Sequence, residues 1–384
     1  MARVFVGMSG GVDSSLSAAL LVEQGHEVTG VYMKNWTQDL PGMQCPWADD
    51  LADAKRVAVQ LGIPFKVYDF QAEYRQKVVD YMIEEYKRGR TPNPDIMCNE
   101  QVKFKLFLES ALEDGAEMIA TGHYARTLAV SEYPGELLAS DSLDANGDSV
   151  LSRSVGKTES SASSSPGYST RAILLRAKDD NKDQTYFLYR ATGEALSRTL
   201  FPLGEYTKPK VRTMAAARGL LTATRKESMG ICFVGSVGIR EFLSEFVTTE
   251  PGTIIDEQSG KVVGAHDGAI FYTLGQRHGL NLGGGLPYYV VGKNMSKNEV
   301  YVSRNLNDQA MWKRELHLEA LHWINQPPKA GDKLAVRLRH RGKLLPAKLR
   351  GDILTLLEPE RAAASGQSAV IYDDDQVLGG GIIR

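Results

Sequence analysis

Along the first part of the chain, short apolar runs alternate with longer stretches whose apolar positions recur every third or fourth residue. Residues 2–6 are short and β-prone; beyond a glycine-rich break, Leu16, Ala19, Leu20 and Val22 follow helical spacing. Residues 26–34 read as a second strand, 49–61 as a helix and 65–69 as a third strand. Residues 72–88 and 102–113 read as helices, and 118–122 as a buried strand running into His123 and Tyr124. Strands alternating with helices of this length predict an α/β fold with a doubly wound parallel sheet. Such sheets bind ligands beyond the carboxyl ends of their strands. Gly7 to Ser15, Met33-Lys34 and Gly122-His123 all fall at that edge.

The pattern dissolves over about 129–170, where serine, glycine and acidic residues replace any apolar period and predict a mobile surface insertion. Order returns at 171–176. Residues 183–188 read as helical, and 208–218 as a helix stopped by Gly219. Beyond about Phe246 the texture changes to short β-prone runs divided by glycine: 253–255, 288–291, 300–302, 334–338, 353–357 and 369–372. These predict a small β-rich central domain and a C-terminal antiparallel β-barrel. The expected division is 1–218, 219–306 and 307–384, with the second of two candidate cysteines at the start of the central unit.

Composition narrows the class. The chain has 384 residues, 42% hydrophobic and 24% charged, as in soluble globular proteins. No apolar stretch approaches membrane-spanning length, and the first strand begins at once, so no signal or transit peptide is expected. Three cysteines argue against a disulfide framework and for a cytoplasmic location. A net charge of −2 announces no nucleic-acid partner, but phosphate contact needs only a local patch. Four basic clusters are candidates: Arg88 with Arg90, Lys103 with Lys105, Lys208-Lys210-Arg212, and Arg337-Arg339-Arg341-Lys343. Each read alone is a solvated face.

The first chemical signal is the loop Gly7-Met8-Ser9-Gly10-Gly11-Val12-Asp13-Ser14-Ser15, set between a strand and a helix. Helix-start N–H groups carry partial positive charge and paired glycines admit close approach, which suits phosphate. No lysine follows the glycines, so this is not the G-x-x-x-x-G-K-[ST] loop of common nucleotide hydrolases; nor has it the G-x-G-x-x-G of dinucleotide binders. Taken alone, a glycine pair here is an ordinary strand-to-helix turn capped by Asp13 or Ser14. The full S-G-G-V-D-S resembles the PP-loop ATP pyrophosphatases. That resemblance implies ATP with Mg2+, cleavage between the α- and β-phosphates, and transfer of AMP to a substrate oxygen.

A second constellation is Thr91-Pro92-Asn93-Pro94-Asp95-Ile96-Met97-Cys98-Asn99. Its prolines deny it helix and predict a stiff loop. Far downstream stands Ser228-Met229-Gly230-Ile231-Cys232-Phe233. With the nucleotide loop, these two cysteines make the chain resemble the tRNA-specific 2-thiouridylases of the MnmA/TrmU type. Further matching stretches are 33–36, 121–124, 181–184, 272–277, 366–369 and 378–383, so the resemblance spans nearly everything but the insertion.

The resemblance implies that Cys232 carries a persulfide from a sulfur-donor protein and that Cys98 resolves it, through a disulfide or by liberating sulfide. Asp95 orients the base or moves a proton; by itself it is a turn-former after Pro94. Asn93, Pro94 and Asp95 would contact the target base, and Gly7, Met8, Ser9, Gly10, Gly11, Val12, Asp13, Ser14, Met33 and Gly122 the ATP. His123, Lys182, Asp183, Gln184, Arg339, His340 and Gln367 would touch tRNA. Lys103 and Lys226 are candidates to favour the thiolates of Cys98 and Cys232, because a free thiol is mostly protonated at neutral pH. Cys45 matches no family role and reads as a small buried hydrophobe.

Three alternatives compete. An amide-forming PP-loop ligase leaves Cys98 and Cys232 unemployed, and no cysteine stands at position 2 to serve as a glutaminase nucleophile. An RNA-binding protein with a vestigial ATP site conflicts with the intact loop. An iron–sulfur site lacks close-spaced cysteines, since Cys45, Cys98 and Cys232 are far apart in the chain.

Overall fold

A computed structural model describes residues 1–39, 45–130, 137–138, 171–226, 238–283, 285–305, 311–329, 331–361 and 363–384. Alternating burial builds the first layer. In β1 (Arg3–Gly7), Val4 and Val6 face one core while Phe5 faces another. It pairs in parallel with β2 (Glu27–Lys34) and β4 (Met118–Ala120), with β3 (Phe65–Asp69) and β8 (Thr199–Leu200) at the edges. Helices Val12–Glu23, Trp47–Leu61 and Lys208–Ala217 bury their apolar residues on the Val4–Val6 face. Helical runs 71–87 and 94–113 cover the other face, each with a π-wound middle, Arg75–Asp80 and Asn99–Phe107. The predicted doubly wound sheet is therefore present. Gly219, at φ +62, closes the third of those helices where a C-terminal glycine is favoured.

Two segments depart from expectation. Residues 94–98 are not a loop: Pro94 opens helix Pro94–Cys98 in its first turn, and Asn93 caps it by accepting from Ile96 N–H at 3.4 Å. A proline there loses no helical bond, because first-turn N–H groups have no intrahelical acceptor. Residues 183–188 are not a helix but hold a single 3-10 turn, Thr185–Phe187. The Asp183 side chain just before that turn points into the protein rather than towards solvent.

The second sheet is four-stranded. It comprises β9 (Gly252–Asp256), β10 (Val262–His266), β11 (Tyr289–Asn294) and β12 (Glu299–Ser303), around a core of Ile254, Val290, Val300 and Val302. The third begins with β13 (Trp312–Trp323), β14 (Leu334–Arg337) and β15 (Leu345–Arg350), and continues with β16 (Ile353–Arg361), β17 (Ser368–Asp373) and β18 (Gln376–Ile383). Pairing of β13 with β18, Leu318 opposite Ile383, closes these six into a barrel. Full closure leaves no edge within the six.

The barrel sheet also recruits strands from the first half of the chain. β7 (Arg171–Arg176) pairs with β18, and β5 (Ala125–Val130) and β6 (Leu137–Leu138) follow outward. Strand thus reaches 130 and returns at 137–138, past 129, the expected start of the insertion; residues 131–136 and 139–170 lie outside the described residues, and so does the reading of them as mobile. Joining the two halves is Asp183, fully buried. Its carboxylate accepts from Arg337 Nη1 at 2.8 Å on β14, lies 3.7 Å from Arg176 Nε on β7, and accepts from Thr185 Oγ1 at 2.8 Å.

Removing one partner of a buried pair leaves the other charge uncompensated, which costs about 3–5 kcal/mol. Asp183→Ala is therefore expected to lose about that much stability, measured as a shift of the urea unfolding midpoint. Glu358→Ala, an exposed change on β16 of the barrel, is expected to stay within about 0.5 kcal/mol.

Candidate active site

The nucleotide loop runs off the carboxyl end of β1. The Met8 side chain is buried and its N–H donates to Val31 O at 2.8 Å, so this residue anchors the loop. Ser14 Oγ accepts from Ser9 N–H at 3.1 Å and donates to Gly11 O at 3.1 Å, curling the chain. The first intrahelical bond is Ser15 N–H to Gly11 O, so the N–H groups of Val12, Asp13 and Ser14 have no acceptor within the helix. Gly10 holds φ +73, and a Cβ there would lie 2.4 Å from Asp50 O. Met33 and Gly122 wall the loop in. A Cβ on Gly7 would meet Met33 Cε at 2.9 Å, and one on Gly122 would meet Ser14 N at 2.7 Å.

The loop lacks its own lysine, but a cation reaches it from elsewhere. Lys208, at the start of helix Lys208–Ala217, is buried and places Nζ 2.7 Å from both carboxylate oxygens of Asp13. Tyr124 Oη donates to Asp13 Oδ1 at 2.9 Å. Arg225 donates to Gly10 O at 2.9 Å and pairs with Asp50 and Asp53. Two of the basic residues thus grip the loop from sequence positions about 200 residues away. Lys208 is no solvated face, and its burial corrects that reading. Arg337 is corrected in the same way, and Arg90, only 18% exposed, pairs with Glu85 and Glu319. No periodicity or spacing connects Lys208 with Asp13; only the parallel crossover brings them together.

Cys98 lies at the end of the Asn93-capped helix and is 1% exposed. The π-wound turns after it carry two further contacts. Asn99 Nδ2 donates to Phe187 O at 3.0 Å, and Lys103 Nζ lies 3.4 Å from His123 Nε2. The His123 ring packs beside Phe104 and Phe201, and its Nδ1 is 2.8 Å from Thr121 Oγ1. Burial, with the neighbouring Lys103, holds His123 well below the ordinary histidine pKa. His123 is therefore neutral near pH 7, with Nε2 placed to accept from Lys103 and Nδ1–H to donate to Thr121. A line of contacts runs from the cysteine helix through Lys103, His123 and Gly122 to Ser14.

The more distant candidates converge on a second face. Arg341 Nε donates to Asn181 O at 2.9 Å, and the His340 ring lies 4.6 Å from that of Phe187. This brings Lys182 and Gln184 together with Arg339 and His340, although the two stretches are far apart in the chain. Gln184 Oε1 accepts from Tyr124 N–H at 2.9 Å. Arg339 is largely exposed, while the Asp183 carboxylate is occupied inside the protein. Gln367 does not join this face: its Nε2 donates to Thr91 O at 2.9 Å. Cys45 is half-buried rather than buried as expected; its thiol donates to Trp36 O at 3.6 Å, and partial burial pushes its pKa up. Cys232 lies outside the described residues, and so does its separation from Cys98.

Comparison with known proteins covers the whole chain. Family models match residues 2–236 as the tRNA methyl transferase HUP domain, 240–304 as the tRNA methyl transferase PRC-barrel domain and 313–383 as the aminomethyltransferase beta-barrel domain. The tRNA-specific 2-thiouridylase MnmA of Idiomarina loihiensis is 42% identical over 100% of this chain and 96% of its own. That of Bacillus cytotoxicus is 41% identical over 99% and 94%. The solved NMN synthetase from Francisella tularensis is 12% identical, covers 59% of this chain and 66% of its own, and gives a TM-score of 0.33. That likeness is too slight to bear on function.

The His123 environment carries a sign. An unfolded histidine takes up a proton near pH 6.5, whereas the folded one does so only at lower pH. Between those values the unfolded state holds more protons, so stability falls as pH drops below about 6.5. His266, His322 and His340, also depressed by burial, add to the slope. His123→Gln is expected to flatten, without abolishing, the loss of stability between about pH 7.5 and 5.0 in urea unfolding.

Proposed function

The chain belongs to the tRNA-specific 2-thiouridylase (MnmA) family, and we propose that it is an ATP-dependent tRNA sulfurtransferase acting on the 2-carbonyl of the wobble uridine. The observation that carries this reading is the line of contacts from the Cys98 helix through Lys103, His123 and Gly122 to Ser14. It ties a nucleotide loop to a cysteine, and ATP-dependent sulfur transfer needs both. The family models bear methyl-transferase descriptions. A phosphate-type loop with cysteine suits the sulfur chemistry in the relatives' names better.

The chemistry starts from a poor leaving group. The uracil O2 attacks the α-phosphorus of ATP, pyrophosphate departs, and C2 now carries an AMP group that leaves readily. The terminal sulfur of a Cys232 persulfide attacks C2, and AMP departs with the original oxygen. Cys98 thiolate then attacks Cys232 Sγ, breaking the S–S bond to leave sulfur on the base and a Cys98–Cys232 disulfide, which external thiol reduces. In the alternative order, Cys98 attacks the persulfide first and liberates sulfide as the nucleophile.

In this reading Gly7 to Ser14, Met33 and Gly122 hold ATP. Lys208 supplies the cation that the loop lacks, trading Asp13 for phosphate. Asn93, Pro94 and Asp95 receive the base, with Asp95 orienting it. Lys182, Gln184, Arg339 and His340 form a tRNA-facing surface, to which Asp183 contributes by holding the turn in place; His123, half-buried beside the loop, holds Lys103. Magnesium enters with the triphosphate. The sulfur arrives from a donor protein. The chain is read as three units, 1–218, 219–306 and 307–384, working in the cytoplasm. No described helix is long and apolar enough to cross a membrane.

The test is to incubate the protein with undermodified tRNA, ATP, magnesium and a persulfide donor, then digest the tRNA and measure 2-thiouridine by mass spectrometry. The expected co-products are AMP and pyrophosphate, without ADP. Cys98→Ala and Cys232→Ala are each expected to abolish 2-thiouridine, and full thiolation by Cys232→Ala would overturn the persulfide assignment. Lys208→Met is expected to slow AMP formation about 10–100-fold, the equivalent of one charge-assisted hydrogen bond of about 1.5–3 kcal/mol.

A further inference from the structure

Thr91 spends every polar group it has on the other two parts of the molecule. Its N–H donates to Ser365 O at 2.9 Å and its carbonyl accepts from Gln367 Nε2 at 2.9 Å, both from the barrel. Its hydroxyl lies 3.1 Å from Thr273 Oγ1 in the central unit. The fit is close: Gly366 holds φ +89, and a Cβ there would sit 2.7 Å from Thr91 N.

Thr273 is itself held. Its N–H donates to Gln276 Oε1 at 3.0 Å, and its carbonyl accepts from Gln276 N–H at 3.0 Å. Lys293 Nζ, half-buried beneath the turn, donates to the preceding carbonyl of Tyr272 at 2.8 Å. Residues 272–277 thus present one hydroxyl from a rigid turn, a use that the proposed reaction does not otherwise give them.

The chain is stiff from Thr91 onward. As a residue before proline it is confined to extended backbone, and Pro92 and Pro94 each fix φ near about −65°. Asn93 between them is tied to Ile96 N–H, and the helix carrying Cys98 begins at once. A displacement at Thr91 therefore passes to Asn93 and Asp95 with little slack.

We propose that Thr91 is a positioning residue, clamped by Thr273, Ser365 and Gln367, through which the barrel and the central unit set the turn Asn93-Pro94-Asp95. The inference rests on reading that turn as the receiver of the base. It also gives Gln367 a positioning task in place of direct contact with tRNA. The clamp places the turn in register with both β units, so that a tRNA lying across the barrel finds the base pocket at a fixed offset.

The experiment is a double-mutant cycle with Thr91→Val and Thr273→Val, isosteric changes that remove only the hydroxyl link. Each single variant and the double are expected to slow thiolation by the same factor, about three- to tenfold, the size of one neutral hydrogen bond. Affinity for tRNA and for ATP should stay within about twofold, and Thr273→Ser should restore the rate. Hydrogen–deuterium exchange at the Ile96 amide reads the clamp independently of the reaction, and it should quicken in both single variants. A double variant that loses the product of the two single effects would overturn the proposal, as would Thr273→Val with unchanged exchange at Ile96. If the unaltered protein makes no 2-thiouridine while exchange quickens as expected, the functional reading fails and the clamp stands.

Discussion

A single buried carboxylate decides how the halves of this molecule meet. Asp183 is out of water, and an ionised group there is tolerable only with full compensation. Its two oxygens have it, from the Arg337 guanidinium, the nearby Arg176, and donors on Thr185 and Ala177. The bridge ties β14 of the barrel to β7 of the preceding segment. It thereby pins the turn that carries Lys182 and Gln184 beneath the barrel turn that carries Arg339 and His340. Both Thr185 bonds to Asp183 come from the start of the 3-10 turn whose Phe187 stacks on His340 and accepts from Asn99. The surface proposed for tRNA and the helix of Cys98 therefore share one support.

A loop proposed to bind phosphate without its own lysine poses a charge problem, and the topology answers it from a distance. The P-loop solution puts glycine, lysine and hydroxyl on one short segment, so that local sequence carries the whole site. Here the glycines and serines come from the first βα turn, whereas Lys208 and Arg225 come from beyond the last parallel strand. Lys208 is neutralised by Asp13. Such a pair keeps a buried ammonium tolerable without ligand, and an incoming phosphate can replace one anion with another without exposing either charge to a low-dielectric surround.

The α/β sheet and the barrel are legible in the sequence because they rest on local periodicity: apolar positions every two residues in the strands, every three or four in the helices. The nucleotide loop is legible because its residues are contiguous. Contacts that depend on crossovers are not. Lys208 with Asp13 and Gln367 with Thr91 join positions that no spacing rule relates. The helix of Cys98 is hidden for a different reason. Two prolines in four residues suggest a helix breaker, but Pro94 falls at the first turn, where it loses nothing, and Asn93 before it is a favoured cap. Position within the element, not residue type, sets the outcome. Likewise Asp183 reads as part of a surface motif, and its burial emerges only when a strand from the far end of the chain supplies Arg337.

The nucleotide loop and the second cysteine are connected through the chain itself. Arg225 bonds the carbonyl of Gly10 and the carboxylates of Asp50 and Asp53, so it is fixed to the loop where phosphate is proposed to bind. Cys232 stands only seven residues later. On the far side, helix Ile239–Ser244 is anchored by Phe242, fully buried against Trp36 with ring centroids 6.0 Å apart, close in sequence to Met33 on the nucleotide side. Both described flanks of residues 227–237 are thus held by residues that belong to the proposed ATP site or adjoin it. Cys98 lies inside a capped helix and is 1% exposed. In the proposed reaction, the resolving thiol thus sits in a helix tied to the loop through Lys103 and His123, and the sulfur-carrying thiol follows by seven residues the arginine that bonds Gly10.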